Sequence, residues 1–145
     1  MGIREVILMA ASRSTGRSAS PRPDLQAHDS AMRAPFAMVI RELIDILGAR
    51  LVAYIAKVSE TRAVHEWGAR GRGPKDGSVA PRLRLALQVA SLIARHDSHE
   101  VAQAWFQGLN PQLGDRSPAR LLREGDLSEV GPEIVGAARA FVIGG

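Results

Sequence analysis

The sequence predicts an all-α protein. Apolar residues recur at helical spacing through most of the chain after residue 34, and no stretch shows the sustained alternation of apolar and polar residues that is typical of a β-strand. Hydrophobic residues make up 46% of the 145 residues, a share typical of globular proteins, whereas aromatic residues make up only 4%. We therefore expect a helical core built mainly from alanine, leucine, valine and isoleucine.

Residues 1–33 are predicted to form a flexible, disordered tail, because serine, proline, arginine and glycine dominate from Ser12 onward without periodicity. No stretch approaches the roughly 18 apolar residues that span a membrane. The apolar run over residues 6–11 is too short for a signal-peptide core and follows Glu5 instead of a basic region. These features predict a cytoplasmic protein with no membrane partner.

Helical periodicity in the first half of the chain predicts four helices. They cover residues 35–47, 51–56, 61–67 and 81–95. Pro35 and Pro81 each stand at an expected first helical position, where the fixed φ of proline suits a helix start. Gly48 and Gly68 are expected to end helices, and Ser59 is the expected N-cap of the third helix. Residues 68–80, with four glycines, are predicted to form a loop.

The second half predicts three more helices. They cover residues 101–107, 118–124 and 132–142. Asp97 and Glu100 have the spacing of a capping box, which accounts for both carboxylates of a His-Asp-Ser-His-Glu run without a metal ion. Ser117 followed by proline predicts another helix start. Trp105, Phe106, Pro118 and Leu122 are predicted to lie in the core.

The composition argues against a catalytic protein. The chain has no cysteine, which excludes a disulfide scaffold, a thiolate metal site and a cysteine nucleophile. The glycine-rich residues 68–77 follow a predicted helix rather than a strand, and Lys75 is not followed by serine or threonine, so they do not match a phosphate-binding loop. No pair of titratable groups is placed for acid–base chemistry. We expect no catalytic residue, no metal site, no cofactor and no enzymatic activity.

Charge is divided unevenly along the chain. The formal net charge is +4, but residues 1–96 carry fifteen Lys and Arg against eight Asp and Glu, whereas residues 97–145 carry four against seven. Such an asymmetry predicts two surfaces with different partners, of which the basic one suits a nucleic acid.

Residues 51–67 predict a helix-turn-helix, a motif whose second helix lies in the DNA major groove while the first supports it. Val64 and Trp67 would face the core, and Arg62 could pair with guanine. The loop arginines would contact phosphate groups. The candidate DNA-binding residues are Ser59, Thr61, Arg62, His65, Arg70 and Arg72. A helical hairpin without a DNA role is the open alternative, because Glu60 and Glu66 share this helix and the turn is short.

The segment from Ala104 to Asp126 combines aromatic anchors, an Asn-Pro turn and a capped short helix. It resembles the C-terminal toxin-binding domain of Xre/MbcA/ParS-type antitoxins, and the resemblance extends over about residues 38–143. The residues that carry it are Trp105, Asn110, Ser117-Pro118, Leu121-Leu122 and Gly125-Asp126. It implies an Xre-like helix-turn-helix domain over residues 34–96 and a toxin-binding domain over residues 97–145, whereas the predicted tail over residues 1–33 lies outside the resemblance.

The resemblance implies an antitoxin of a type II toxin–antitoxin pair. Its partner would be a RES-domain toxin that consumes NAD or uses it for ADP-ribosylation, and the antitoxin would cover the NAD pocket of that toxin. The implied toxin-binding residues are Asn110, Gln112, Asp115, Arg116, Arg139, Phe141 and Gly145. The helix-turn-helix would bind operator DNA of the pair's own promoter, and the antitoxin would form a homodimer. A stand-alone helix-turn-helix transcriptional regulator is the alternative.

Overall fold

The computed structural model describes residues 23–25, 35–70 and 72–144, and the described part of the chain is all-α, as predicted. The seven α-helices of this part are α1 (Phe36–Leu47), α2 (Ala49–Ala56), α3 (Thr61–Arg70), α4 (Val79–His96), α5 (His99–Gln107), α6 (Pro118–Glu124) and α7 (Leu127–Gly144), with a 3₁₀ turn at Pro111–Leu113 between α5 and α6. The tail predicted over residues 1–33 lies outside the described residues, except for a helical turn at residues 23–25.

Several helix ends lie where the sequence predicts them. Helix α1 ends before Gly48 as predicted, but it begins at Phe36, so Pro35 is its N-cap and not its first helical residue. Helix α5 ends before Gly108. At the start of α6 the Ser117 hydroxyl oxygen accepts a hydrogen bond from the Arg120 backbone N–H at 3.2 Å, so the predicted N-cap is confirmed.

Helix α3 extends beyond Gly68 to Arg70, so the prediction that it ends at Gly68 is wrong. A Cβ atom on Gly68 would lie 3.3 Å from Arg41 Cγ, and Arg41 Nη1 donates a hydrogen bond to the Gly68 carbonyl oxygen at 2.6 Å. Gly68 therefore serves the close approach of α1 and α3 and does not end the helix. The helix begins at Thr61, two residues after Ser59, which the sequence predicts as the N-cap.

Helix α4 begins at Val79, two residues before the predicted start at Pro81. The preceding turn is organised by Asp76, whose Oδ1 accepts hydrogen bonds from the Ser78 backbone N–H at 2.9 Å and the Ser78 hydroxyl at 2.8 Å. Pro81 is therefore the third helical residue. Its missing N–H costs nothing there, because the first N–H groups of a helix have no acceptor within the helix.

The capping box predicted from Asp97 and Glu100 is wrong, because α5 begins at His99 and its N-cap is Ser98. The Ser98 hydroxyl oxygen accepts a hydrogen bond from the Val101 backbone N–H at 3.1 Å. Asp97 instead ends α4, and its backbone N–H donates to the Ile93 carbonyl oxygen. Only two residues separate α4 from α5, so Asp97 belongs to the earlier helix.

Helix α7 begins at Leu127, five residues before the predicted start at Pro132. Asp126 Oδ1 accepts hydrogen bonds from the Ser128 backbone N–H at 3.0 Å and from the Ser128 hydroxyl at 2.8 Å. Pro132 then lies within the helix on an exposed position, where it removes one backbone hydrogen bond. The local hydrogen bonds at Asp126 therefore determine the start of the helix.

One hydrophobic core runs through both predicted domains. Helix α1 packs against α3, α4 and α5, while α4 also packs against α7, and α2 packs against α6. The predicted core residues Trp105, Phe106, Pro118 and Leu122 are all buried. The Gln103 side chain donates a hydrogen bond to the Ile46 carbonyl oxygen at 2.8 Å across the predicted boundary. The boundary between residues 34–96 and 97–145 stays a prediction, but the two segments share one core.

Candidate partner-binding surfaces

An open cleft lies where the end of α5, the loop around the 3₁₀ turn and the second half of α7 meet. Its volume is about 400 Å³. Its aromatic wall is Trp105, whose ring lies 6.5 Å from the Phe141 ring and 5.4 Å from the ring of buried Phe106, measured between centroids. The remaining lining residues are Ala104, Gly108, Leu109, Asn110, Pro111, Gln112, Ala137 and Ala140. We refer to this surface as the α5–α7 cleft.

Asn110 organises the loop that borders the cleft. Its side-chain oxygen accepts a hydrogen bond from the Gln112 backbone N–H at 2.9 Å, and its carbonyl oxygen accepts from the N–H groups of Leu113 and Asp115, both at 2.9 Å. Its own N–H donates to the Arg116 carbonyl oxygen at 3.2 Å. The Asn-Pro turn signal in the sequence therefore corresponds to a fixed loop, in which Asn110 holds the shape of one cleft wall.

The structure brings together only part of the residue set implied for toxin binding. Asn110, Gln112 and Phe141 line the same cleft. Asp115 and Arg116 are exposed on the adjoining loop, and Arg116 Nε donates to the Leu113 carbonyl oxygen at 2.9 Å. The two remaining residues are Arg139, which lines a different groove, and Gly145, which lies outside the described residues.

The sequence-based interpretation missed two strongly exposed apolar residues. Leu109 is 74% exposed in the cleft wall, and Ile143 is 86% exposed on the last turn of α7. An exposed leucine that lines a cleft is consistent with a binding surface. The sequence contains a sign that Leu109 is exposed, because this residue follows the helix-ending Gly108 and does not belong to the apolar periodicity of a helix.

The candidate DNA-binding residues lie on α3 and on the segments directly before and after it. Ser59, Arg62, His65, Arg70 and Arg72 are exposed, and Thr61 is half-buried. The buried face of α3 is formed by Val64 and Trp67, as predicted.

Arg62 already has a partner on its own helix. Its Nε lies 3.3 Å from Glu66 Oε2, and the two side chains are 82% and 49% exposed. Such an exposed pair one helical turn apart contributes about 0.3–0.5 kcal/mol, because water screens it. The arginine can therefore exchange Glu66 for a phosphate or a base at little cost.

In the described part of the chain, the two carboxylates whose pKa is shifted lie at helix starts and not in the cleft. Hydrogen bonds from the Ser78 backbone and hydroxyl lower the pKa of Asp76, and the charges of Arg82 and Lys57 act in the same direction. The hydroxyl and backbone N–H of Ser128 lower the pKa of Asp126. Among the described residues, no three His, Cys, Asp or Glu side chains are grouped closely enough to hold a metal ion, and no helix is long and apolar enough to cross a membrane.

The helical fold is similar to that of a chain in a toxin–antitoxin complex. No protein-family profile matches the chain, and no curated protein matches it in sequence. A similar solved structure is a chain in the crystal structure of the M. tuberculosis MbcT–MbcA toxin–antitoxin complex, with a TM-score of 0.60 and 25% sequence identity. The match covers 74% of this chain and 94% of that chain. It confirms the resemblance that the sequence shows around Trp105 and Asn110.

Proposed function

We propose that this chain is a non-catalytic antitoxin that binds a RES-domain toxin and occludes the active site of that toxin. The observation that carries the proposal is the structural likeness to a chain of a toxin–antitoxin complex over 74% of this chain. The α5–α7 cleft supports it, because this cleft combines three of the implied toxin-binding residues with the exposed apolar side chain of Leu109.

The chemistry of the cleft suits a protein partner. Burial of an exposed leucine against a partner contributes about 1.5–3 kcal/mol, so Leu109 is expected to act as an anchor. Phe141 adds an aromatic surface, and its ring lies next to that of Trp105. The acidic balance of residues 97–145 favours approach to a basic pocket of the kind that binds the anionic cofactor NAD.

Co-expression with the product of the adjacent reading frame tests this proposal. We expect the unaltered chain to restore growth that the toxin arrests, and Leu109→Asp or Phe141→Ala to reduce both rescue and co-purification. Met38→Asp is the matched control, because Met38 is 44% exposed on α1 and does not line the cleft. A partner that is harmless alone, or cleft variants that protect as well as the control does, would contradict the proposal.

We also propose that α3 and the basic loop after it bind operator DNA. The support is the exposure of Arg62, His65, Arg70 and Arg72 on one stretch of chain next to Lys75, and the basic balance of residues 1–96. Glu66 pairs with one member of this set, Arg62.

A gel-shift experiment with the DNA upstream of the gene tests this second role. Arg72→Ala is expected to weaken binding to all sequences and to reduce its salt dependence, as removal of a phosphate contact does, whereas Arg62→Ala is expected to relax sequence preference. Glu66→Gln should strengthen binding because it frees Arg62. If no shift occurs at low salt, the chain acts on a protein partner alone.

The same two experiments distinguish the antitoxin role from the alternative, a stand-alone transcriptional regulator. A regulator would bind DNA and fail to neutralise any neighbouring product. The proposed homodimer is measured by sedimentation of the chain with and without its partner.

A further inference from the structure

Helix α7 has an outward side that carries few charges. The residues of this side fall within an arc of about 120° when they are projected at 100° per residue. They are Glu129, Pro132, Glu133, Gly136, Arg139, Ala140 and Ile143. We refer to them as the outer face of α7. Ile143 is 86% exposed, and four of the seven residues are apolar, whereas the solvent side of a helix is usually charged or polar.

A groove borders the outer face on the side of α4. Its volume is about 650 Å³. Leu85 of α4 and Leu127 of α7 give it an apolar lining, and Pro132 belongs to both the groove and the outer face. Ile143 lies about 16 Å farther along the helix than Pro132, so it cannot fill the groove of its own chain. The isoleucine of a second chain can do so.

The charges of the outer face are placed symmetrically about Gly136. Glu133 lies three residues before Gly136 and Arg139 three residues after it, about 4.5 Å along the helix in each direction. A two-fold axis through Gly136, perpendicular to the helix, brings Arg139 of each copy level with Glu133 of the other. A parallel arrangement would place each charge against its own equivalent, and like charges repel. The charge pattern therefore fits a second copy of this chain in antiparallel orientation.

We propose that two copies of this chain associate through the outer faces of α7, antiparallel and centred on Gly136. Because Gly136 has no side chain, the two helices can approach closely at the centre. On either side of the centre Arg139 pairs with Glu133 of the other copy, and Ile143 enters the other groove beside Pro132. Glu129 stays at the rim of the contact. The inference rests on the homodimer of the proposed function and names its face and its orientation.

Arg139 can serve this contact while it also pairs with Asp24. Its Nε lies 2.8 Å from Asp24 Oδ2, and the Arg139 side chain is 49% exposed. A guanidinium group has five N–H donors, so the two Nη groups can donate to Glu133 of the second copy. The pair with Asp24 also fixes the direction of the arginine in advance, which lowers the entropy cost of a second ion pair.

Two charge-reversal variants of the full chain test the pairing. Glu133→Arg sets two positive charges against each other, and Arg139→Glu sets two negative charges against each other. Each variant alone is expected to raise the dissociation constant of the dimer by about tenfold or more. In an equimolar mixture of the two variants, opposite charges face each other again on both sides of Gly136. The mixture should therefore form a heterodimer about as tight as the dimer of the unaltered chain.

Analytical ultracentrifugation without toxin or DNA measures these states, with a fluorescent label on one variant. Arg95→Glu is the control, because it changes the net charge as Arg139→Glu does but lies exposed near the end of α4. Recovery in the mixture also shows that both variants are folded. A monomeric unaltered chain, single variants that dimerise as tightly as the control, or a mixture that stays monomeric would each overturn the proposal.

A cysteine cross-link tests the position of the two-fold axis. The chain has no native cysteine, so Gly136→Cys places one thiol per copy at the proposed axis. Two thiols there meet the Cα separation of about 4.4–6.8 Å that a disulfide needs, and mild oxidation should give a covalent dimer on non-reducing electrophoresis. Gly77→Cys is the control, since Gly77 is exposed in the loop before α4. Equal cross-linking of the two variants would contradict this register.

Rescue of toxin-arrested growth, measured by co-expression, separates this contact from the antitoxin role. If the unaltered chain dimerises through α7 but does not rescue growth, the antitoxin role fails and the contact stands. If the chain rescues growth and its dimer survives both charge reversals, the proposed function stands and the inference about α7 fails.

Discussion

The glycines of this chain differ in how much space surrounds the position that the Cβ atom of an alanine would occupy. Gly125 joins α6 to α7, and a Cβ placed there would lie 2.6 Å from Val130 Cγ1 and 2.8 Å from the Leu121 carbonyl oxygen. Gly136 lies on the exposed face of α7 with no atom within 4 Å of such a Cβ. The φ of Gly125 is −86°, so the constraint there is space and not backbone conformation.

These two glycines give a matched pair of predictions. Gly125→Ala is expected to lower the free energy of unfolding by about 1–3 kcal/mol, because the backbone of Leu121 cannot move away easily. Gly136→Ala is expected to raise it by about 0.5–1 kcal/mol, because alanine favours the helix and meets no obstacle. Urea denaturation of both variants measures these changes. Equal stability of the two variants would show that the junction at Gly125 is not tightly packed.

Asp126 makes stability depend on pH. Its pKa is lowered from 3.8 mainly by the Ser128 hydroxyl, so its ionised form contributes stability that is present above pH 3.8 and is lost as the pH falls through the lower folded-state pKa. Ser128→Ala removes that hydroxyl. We expect Ser128→Ala to be less stable than the unaltered chain at pH 7, and the difference to shrink as the pH falls below 3.8. Denaturation curves at several pH values test this, and a difference independent of pH would contradict it.

At the scale of the elements, hydrogen bonds at the helix ends determine where the helices begin. Ser98 caps α5, Ser117 caps α6, and Asp76 and Asp126 organise the turns before α4 and α7. Pro81 and Pro132 fit into α4 and α7 without defining the starts of these two helices: Pro81 falls in the first turn of α4, and Pro132 lies inside α7. The positions of α5 and α7, which form two walls of the cleft, therefore depend on these caps.

The cap of α5 can be tested directly against the capping box that the sequence predicts. Ser98→Ala is expected to destabilise the protein by about 1 kcal/mol, because the Val101 N–H loses its acceptor. Asp97→Ala is expected to cost less than half as much, since the Asp97 side chain does not cap α5. Thermal or chemical denaturation compares the two variants. A larger loss of stability for Asp97→Ala than for Ser98→Ala would contradict Ser98 as the N-cap and favour the predicted capping box.

At the scale of the whole molecule, one core connects the basic and the acidic segments. Buried Ile40, Leu43 and Leu87 of the first segment belong to the same apolar cluster as Phe106 and Leu122 of the second. A further connection is made by Arg123, which donates to the Tyr54 carbonyl oxygen and stacks over the Tyr54 ring at 4.6 Å. The charge asymmetry thus divides the surface, while the interior is continuous.

A shared core predicts a single cooperative unfolding transition. Trp67 lies in the first segment and Trp105 in the second. Trp105→Phe therefore keeps Trp67 as the fluorescent reporter of the first segment, and Trp67→Phe keeps Trp105 as the reporter of the second. We expect both reporters to give the same denaturation midpoint, because neither segment can bury its apolar surface alone. Phe106→Ala should lower both midpoints together, with a loss of about 3–5 kcal/mol. Two separate midpoints would show that the segments unfold independently.

Much of the fold and part of the site follow from the sequence alone. Helical periodicity predicts all seven helices, and the pattern of Trp105, Asn110 and Ser117-Pro118 predicts the resemblance that the structural comparison confirms. These features depend on local sequence, since periodicity and caps act within a few residues. The burial of Trp105, Phe106 and Leu122 follows from the same periodicity.

The tertiary structure decided what depends on contacts distant in sequence. It showed that Gly68 marks a helix contact instead of a helix end, because Arg41 lies against it from α1. It placed Phe141 beside Asn110 in the α5–α7 cleft and Arg139 in another groove, although both arginine and phenylalanine lie on the same helix. Side chains two residues apart on a helix point in directions about 200° apart, and only the packing of α7 against α4, α6 and the 3₁₀ turn gives each direction its own partner surface.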